Sequence, residues 1–213
     1  MHFRSASVAV LAVAAIAGLT SWASAEKIVG SPSNDRLFGT KHSDVLKGKG
    51  GSDSFRGRAG KDKILGGAGD DHAFGGPGSD RYYGGFGHDR LRDKPPPHLT
   101  DARATGADRL FGQQGRDTLS GGSGTDLLHG NTQGDHLYGE RGNDTIAGSK
   151  GNDLIYGGRG SDTLGGGPGD DRITSSDDNG VVDFVSCGQD DGDRAFVDSN
   201  DEVAANCENV TVE

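Results

Sequence analysis

The chain has 213 residues, of which 39 are glycine and only 31% are hydrophobic, and its 32 acidic residues outnumber 22 basic ones for a net charge of −10. So lean an apolar content argues against an ordinary globular core, and the acidity disfavours nucleic acid and favours cations as partners. Glycine at this density, without a three-residue period, signals either disorder or a repeat whose turns need positive φ; the period decides.

Residues 1–25 differ in kind from the rest. Arg4 precedes an apolar run from Val8 to Leu19, and Ala23-Ser24-Ala25 fits a small-x-small cleavage rule. This predicts a Sec signal peptide cut after Ala25. The apolar run is shorter than the ~20 residues that span a bilayer, so a secreted protein with no membrane span in its mature form is expected. Cleavage removes Arg4 and no acidic residue, which leaves the mature chain more acidic still.

From residue 26 a nine-residue period sets in, as in GGAGDDHAFGGPGSDRYYGGFGHDR over residues 66–90. Aspartates fall at Asp35, Asp44, Asp53, Asp62, Asp71, Asp80 and Asp89, and again at Asp108, Asp117, Asp126, Asp135, Asp144, Asp153, Asp162 and Asp171. Two residues after these fifteen aspartates stands Leu, Ile or Phe in thirteen cases, with Ala73 and Tyr82 as the exceptions. Glycines precede them in GGAGDD, GGPGSD, GGFGHD, GGSGTD, GGRGSD and GGPGDD. The unit is therefore G-G-x-G-x-D-x-U-x, with U apolar, over 30–92 and 103–174.

Such a turn brings carbonyl oxygens and one carboxylate together. Oxygen ligands without thiolate or imidazole select a hard cation, and an irregular many-ligand loop suits Ca²⁺ better than the strict octahedron of Mg²⁺. Asn or Ser would also form turns, yet neither replaces any of the fifteen aspartates.

These motifs resemble the RTX, or haemolysin-type, calcium-binding nonapeptide-repeat family. The resemblance implies an all-β fold, a parallel β-roll or β-helix solenoid in which each unit is a turn and a short strand and two units complete a coil. Turns eighteen residues apart then stack, as in Asp71 with Asp89, Asp62 with Asp80, Asp144 with Asp162, and Asp153 with Asp171. The implied Ca²⁺ ligands are Asp53, Asp62, Asp71, Asp80, Asp89, Asp117, Asp126, Asp144, Asp153, Asp162 and Asp171.

Departures from the pattern divide the chain into a first repeat segment (26–92), a Pro-rich loop (93–102), a second repeat segment (103–174) and a C-terminal cap (175–213). The first units, GSPSND and GTKHSD, lack their second and third glycines and are expected to cap the roll rather than bind well. In GNTQGD the last glycine is displaced by one, which puts Asp135 in doubt. The step from Asp89 to Asp108 is nineteen, and three prolines in that insertion cannot donate to a ladder. The spacing alone leaves open which side of the roll Asp108 occupies. The tail keeps strand-like pieces, VVDFVSC and RAFV, and ends in CENVTV. It is similar to endings of exported actinobacterial repeat proteins of this kind. Its Cys187 and Cys207, an even pair in an exported chain, are expected to form a disulfide.

No G-x-S-x-G elbow or H-E-x-x-H helix occurs in the chain. The residues outside the repeats are few, so the expected function is non-catalytic: a structural, adhesive or surface-associated calcium-binding protein that meets cell-surface or cell-wall components. The alternatives are a calcium-dependent folding module or accessory subunit of a secreted hydrolase, and a glycan- or cell-wall-binding module. The second would use the aromatics at the ninth repeat position: Phe38, Phe74, Tyr83, Phe111, Tyr138 and Tyr156.

Overall fold

A computed structural model describes residues 26–93, 106–175, 181–189 and 192–213. The signal peptide expected over 1–25 and, apart from Asp93, the loop expected over 93–102 lie outside these residues.

Each nine-residue unit supplies one strand, and its alternation buries U while turning the flanking positions outward. The strands are β1 (Lys27–Val29), β2 (Arg36–Phe38), β3 (Val45–Gly50), β4 (Ser54–Arg56), β5 (Lys63–Ala68), β6 (His72–Phe74), β7 (Arg81–Phe86), β8 (Arg90–Arg92), β9 (Arg109–Gln114) and β10 (Thr118–Ser123). They continue with β11 (Leu127–Thr132), β12 (His136–Arg141), β13 (Thr145–Lys150), β14 (Leu154–Arg159), β15 (Thr163–Gly167), β16 (Arg172–Thr174), β17 (Phe184–Gly188), β18 (Arg194–Val197), β19 (Glu202–Val203) and β20 (Asn209–Val212). Odd strands form one ten-stranded sheet and even strands another, and all neighbours within each sheet are parallel. The chain is thus a parallel β-solenoid with two strands to a coil, and the described residues contain no helix.

The core is one row of U side chains per sheet. Leu46 pairs with Ile64, Ile64 with Tyr82 and Tyr82 with Leu110 in the odd sheet; Leu119, Leu137, Ile155 and Ile173 run on in the even one. All of these are at most 1% exposed. Stacking like on like at every coil lets a chain with so few apolar residues keep each one dry.

The insertion does not interrupt the stack. β7 pairs with β9 as Arg81↔Arg109 and β8 with β10 as Arg90↔Thr118, a step of 28 residues where the repeat elsewhere steps 18. Asp108 therefore lies on the side of Asp80, and residues 26–92 and 106–174 share the same two sheets. The tail behaves likewise: β17 to β20 extend both sheets, with Val185, Ala195 and Val203 in the U row. The Cys187–Cys207 disulfide, with an S–S distance of 2.02 Å, staples these last coils together. On the outer faces the ninth-position rings stack along the coils, Tyr83 on Phe111 at 5.2 Å and Tyr138 on Tyr156 at 5.2 Å, with His129 extending the first row at 5.4 Å.

The fourth motif position shows why glycine recurs. At Gly142, φ is +121°, and a Cβ there would sit 1.5 Å from the Gly124 carbonyl oxygen of the coil before. Backbone atoms cannot give way as a flexible side chain would. Gly142→Ala is expected to destabilise the calcium-loaded chain by more than about 4 kcal/mol, read as a lowered thermal midpoint in circular dichroism. An unchanged midpoint would mean that the turns are looser than described here.

Candidate metal centre

The repeat aspartates form two columns, one along each edge of the roll. Asp44, Asp62, Asp80, Asp108, Asp126, Asp144, Asp162, Asp183 and Asp201 precede odd strands; Asp35, Asp53, Asp71, Asp89, Asp117, Asp135, Asp153, Asp171 and Asp193 precede even ones. Every residue of the sequence-derived ligand set lies in these columns and is at most 2% exposed.

Within a column each carboxylate is held by the coil before it. Asp53 Oδ1 accepts the Asp35 N–H at 2.8 Å, Asp71 Oδ1 that of Asp53 at 2.8 Å, and Asp89 Oδ1 that of Asp71 at 2.8 Å. The same bond joins Asp62 to Asp80, Asp144 to Asp162 and Asp153 to Asp171, and it crosses the insertion from Asp80 to Asp108 at 2.6 Å and from Asp89 to Asp117 at 2.7 Å. All four sequence-derived pairs are therefore stacked neighbours. One carboxylate oxygen in each thus has a partner within the fold.

The second oxygen separates the interior turns from the ends. In the first turn Ser31 donates both N–H and Oγ to Asp35 Oδ2; in the second Thr40 does the same for Asp44 Oδ2, at 2.6 and 3.0 Å. At the other end Asp201 Oδ2 accepts Ser175 Oγ at 2.7 Å and the Asp198 N–H at 2.8 Å. Between them, Oδ2 is buried without a hydrogen-bond partner among the described residues in Asp53, Asp62, Asp71, Asp80, Asp89, Asp108, Asp117, Asp126, Asp135, Asp144, Asp153 and Asp171. A buried, unsatisfied carboxylate oxygen carries a large desolvation penalty unless something else binds it.

The space beside these oxygens is lined by oxygen. A Cβ built on Gly66 would lie 2.3 Å from Asp71 Oδ2 and 2.4 Å from the Gly84 carbonyl oxygen, and one on Gly139 would lie 2.5 Å from Asp144 Oδ2 and 2.3 Å from the Gly157 carbonyl. The first motif glycine thus keeps open a cradle in which a carboxylate and a carbonyl of successive coils converge. Carboxylate and carbonyl oxygens are the donor set of Ca²⁺. The donors present fit that ion.

Burial pushes these carboxyls well above the ordinary 3.8, against the backbone N–H that each accepts. Asp80 and Asp135 are raised to about 8, Asp71, Asp89, Asp126 and Asp171 to about 7, and Asp53, Asp62, Asp117, Asp144 and Asp153 to about 6. At Asp80 and Asp135 the charges of stacked neighbours add to the burial, Asp108 and Asp62 for the first, Asp117 and Asp153 for the second.

Asp135 occupies the common position. Its unit is irregular in sequence, yet Gln133 takes the left-handed φ of +73° that glycine holds elsewhere, and Asp135 is fully buried, bonded to the Asp117 N–H at 2.8 Å. The periodicity did not disclose Asp183, Asp193 and Asp201, because the steps from Asp171 are twelve, ten and eight. Their signal was the surviving D-x-U triplet: Asp183-Phe184-Val185, Asp193-Arg194-Ala195 and Asp201-Glu202-Val203. Of the histidines, His72, His88 and His136 lie exposed, whereas His129 is half-buried in the ring stack.

No curated protein sequence matches the chain. A family model for the RTX calcium-binding nonapeptide repeat (4 copies) matches residues 23–55, 56–91, 104–137, 129–164, 138–173 and 151–182. Those stretches take in most of the chain, including all twelve aspartates with an unpartnered Oδ2, so the chain belongs to the RTX calcium-binding nonapeptide-repeat family and is a β-roll that binds Ca²⁺.

Proposed function

We propose that this chain is a secreted, non-catalytic structural protein whose roll is set by Ca²⁺ and which acts at a cell surface. The observation that supports it is the contrast along the columns: hydroxyl and amide donors satisfy the second aspartate oxygen at the ends of the roll, while twelve interior turns leave theirs buried without a hydrogen-bond partner among the described residues. In this reading Asp53, Asp62, Asp71, Asp80, Asp89, Asp117, Asp126, Asp144, Asp153, Asp162 and Asp171 supply carboxylate ligands, and carbonyls of the glycine turns supply the rest. The ion contributes positive charge between stacked carboxylates. The chain's own part is to hold one oxygen of each aspartate by a backbone N–H and to keep side chains out of the cradle with glycine.

The surface role draws support from the N-terminal 25 residues, which read as a Sec signal, and from the rings stacked along the outer faces. Calorimetric titration of the chain from residue 26 onward is expected to show several Ca²⁺ ions bound at millimolar concentration or below. Asp71→Asn and Asp153→Asn should each reduce that number, and the loaded chain should be retained by cell-wall fragments and released by chelator. No Ca²⁺ uptake would overturn the metal reading; uptake without retention would overturn the surface role alone.

A further inference from the structure

Among the described residues, one buried acidic residue stands outside the two aspartate columns. Asp93 follows β8 at the place where the motif has its first glycine, and it is fully buried. Elsewhere that place admits no side chain: a Cβ on Gly75, the equivalent residue one coil earlier, would lie 1.9 Å from the Tyr82 hydroxyl and 2.1 Å from Asp80 Oδ2. At Asp93 the turn is longer, since fifteen residues separate it from Asp108 where five separate Gly75 from Asp80. Its carboxylate sits over Gly122 of the next coil, where a Cβ would come within 3.0 Å of Asp93 Oδ2.

The result is a cluster with no counterpart in the repeat. Asp80, Asp93 and Asp108 each place a carboxylate oxygen within 4.8 Å of the others, and all three are buried. Both oxygens of Asp93 lack a hydrogen-bond partner among the described residues, as do Oδ2 of Asp80 and Oδ2 of Asp108. Two stacked repeat turns offer one carboxylate oxygen each; here a third carboxylate joins them. Three buried carboxylates so close repel strongly unless a cation joins them.

The geometry assigns to Asp80, Asp93 and Asp108 a modified cation site of the calcium class, in which Asp93 adds a third carboxylate to the two that the stacked turns of Asp80 and Asp108 offer. More carboxylates raise affinity for a hard cation. This site therefore fills before the other repeat sites. The choice of ion rests on the calcium reading of the family's turns; the cluster itself does not.

Tyr82 provides a local probe. It is the one tyrosine in the U row, it is fully buried, and its phenol feels the charges of Asp80, Asp93 and Asp108. Tb³⁺, a luminescent stand-in for Ca²⁺, is expected to light up on tyrosine excitation with its first equivalent, and Tyr82→Phe should remove that emission without weakening binding. Asp93→Asn, which keeps the shape, and Asp93→Gly, which restores the motif residue, should each weaken the first Tb³⁺ by about tenfold or more. Glu208→Gln, an exposed carboxylate in the tail outside both columns, should leave it unchanged. Both Asp93 variants should also gain less thermal stability from Ca²⁺ than the parent does. If they bind the first Tb³⁺ as the parent does, or are stabilised equally with and without Ca²⁺, Asp93 holds a proton shared with Asp108 rather than a cation and the assignment fails, even where total Ca²⁺ uptake stays intact.

Discussion

Chelation is expected to abolish the far-UV β signal of the chain, and returning millimolar Ca²⁺ to restore it. Twelve aspartates each bury an oxygen with no hydrogen-bond partner among the described residues, and they are stacked in columns at every coil. Each such group opposes folding by roughly 1–3 kcal/mol or more when charged, whereas the whole stability of a domain is about 5–15 kcal/mol. A roll with the ions withdrawn therefore has a deficit comparable to its entire margin. Conversely, one site at 100 times its Kd adds about 2.7 kcal/mol, so a handful of sites decides the equilibrium. Stability here is a property of the column, because each carboxylate is anchored through Oδ1 by the N–H of the previous coil while its Oδ2 faces the cradle. The transition in Ca²⁺ should accordingly be cooperative. A β spectrum unaltered by chelator would show that other packing carries the roll and would remove the ground for a calcium-set fold.

How much of this was written in the sequence can be judged residue by residue. The U row and the aspartate columns are strictly periodic, and Leu46, Ile64 and Tyr82 fall into register at steps of eighteen, so the solenoid and its stacked turns were legible. The side on which Asp108 falls was not, because an insertion changes the count without changing the geometry: sheet pairing resumes as Arg81↔Arg109 whatever the loop between them does. The tail was read as losing the period, but a coil needs only a buried residue two places after an acidic one, and Asp183, Asp193 and Asp201 meet that requirement at irregular spacing. Gln133 makes the same point for the backbone. Its left-handed φ is imposed by the coils on either side, a tertiary demand stronger than the local preference for glycine. Asp93 lay furthest from sight, since it stands where the repeat has a glycine and no period marks it.

In the absence of metal, acid is expected to do part of what Ca²⁺ does. The interior carboxyls have folded pKa values of about 6 to 8 against an ordinary value of 3.8, raised first by burial. Between these limits the folded chain binds more protons than the unfolded one, so stability falls as pH rises. The contribution is fully present below about pH 4 and is lost progressively as pH climbs through 6 to 8. In EDTA the β signal should therefore grow as pH is lowered from 8 to 5, as protons neutralise the columns that repel at neutral pH. Proton and ion compete for the same oxygens, so the gain in stability that a fixed Ca²⁺ concentration adds should be smaller at pH 5 than at pH 8. Circular dichroism across that range, with and without Ca²⁺, reads both signs. A metal-free β signal that is flat or increases with pH would mean that the buried aspartates are solvated or paired in solution, and the electrostatic account of the columns would fall with it.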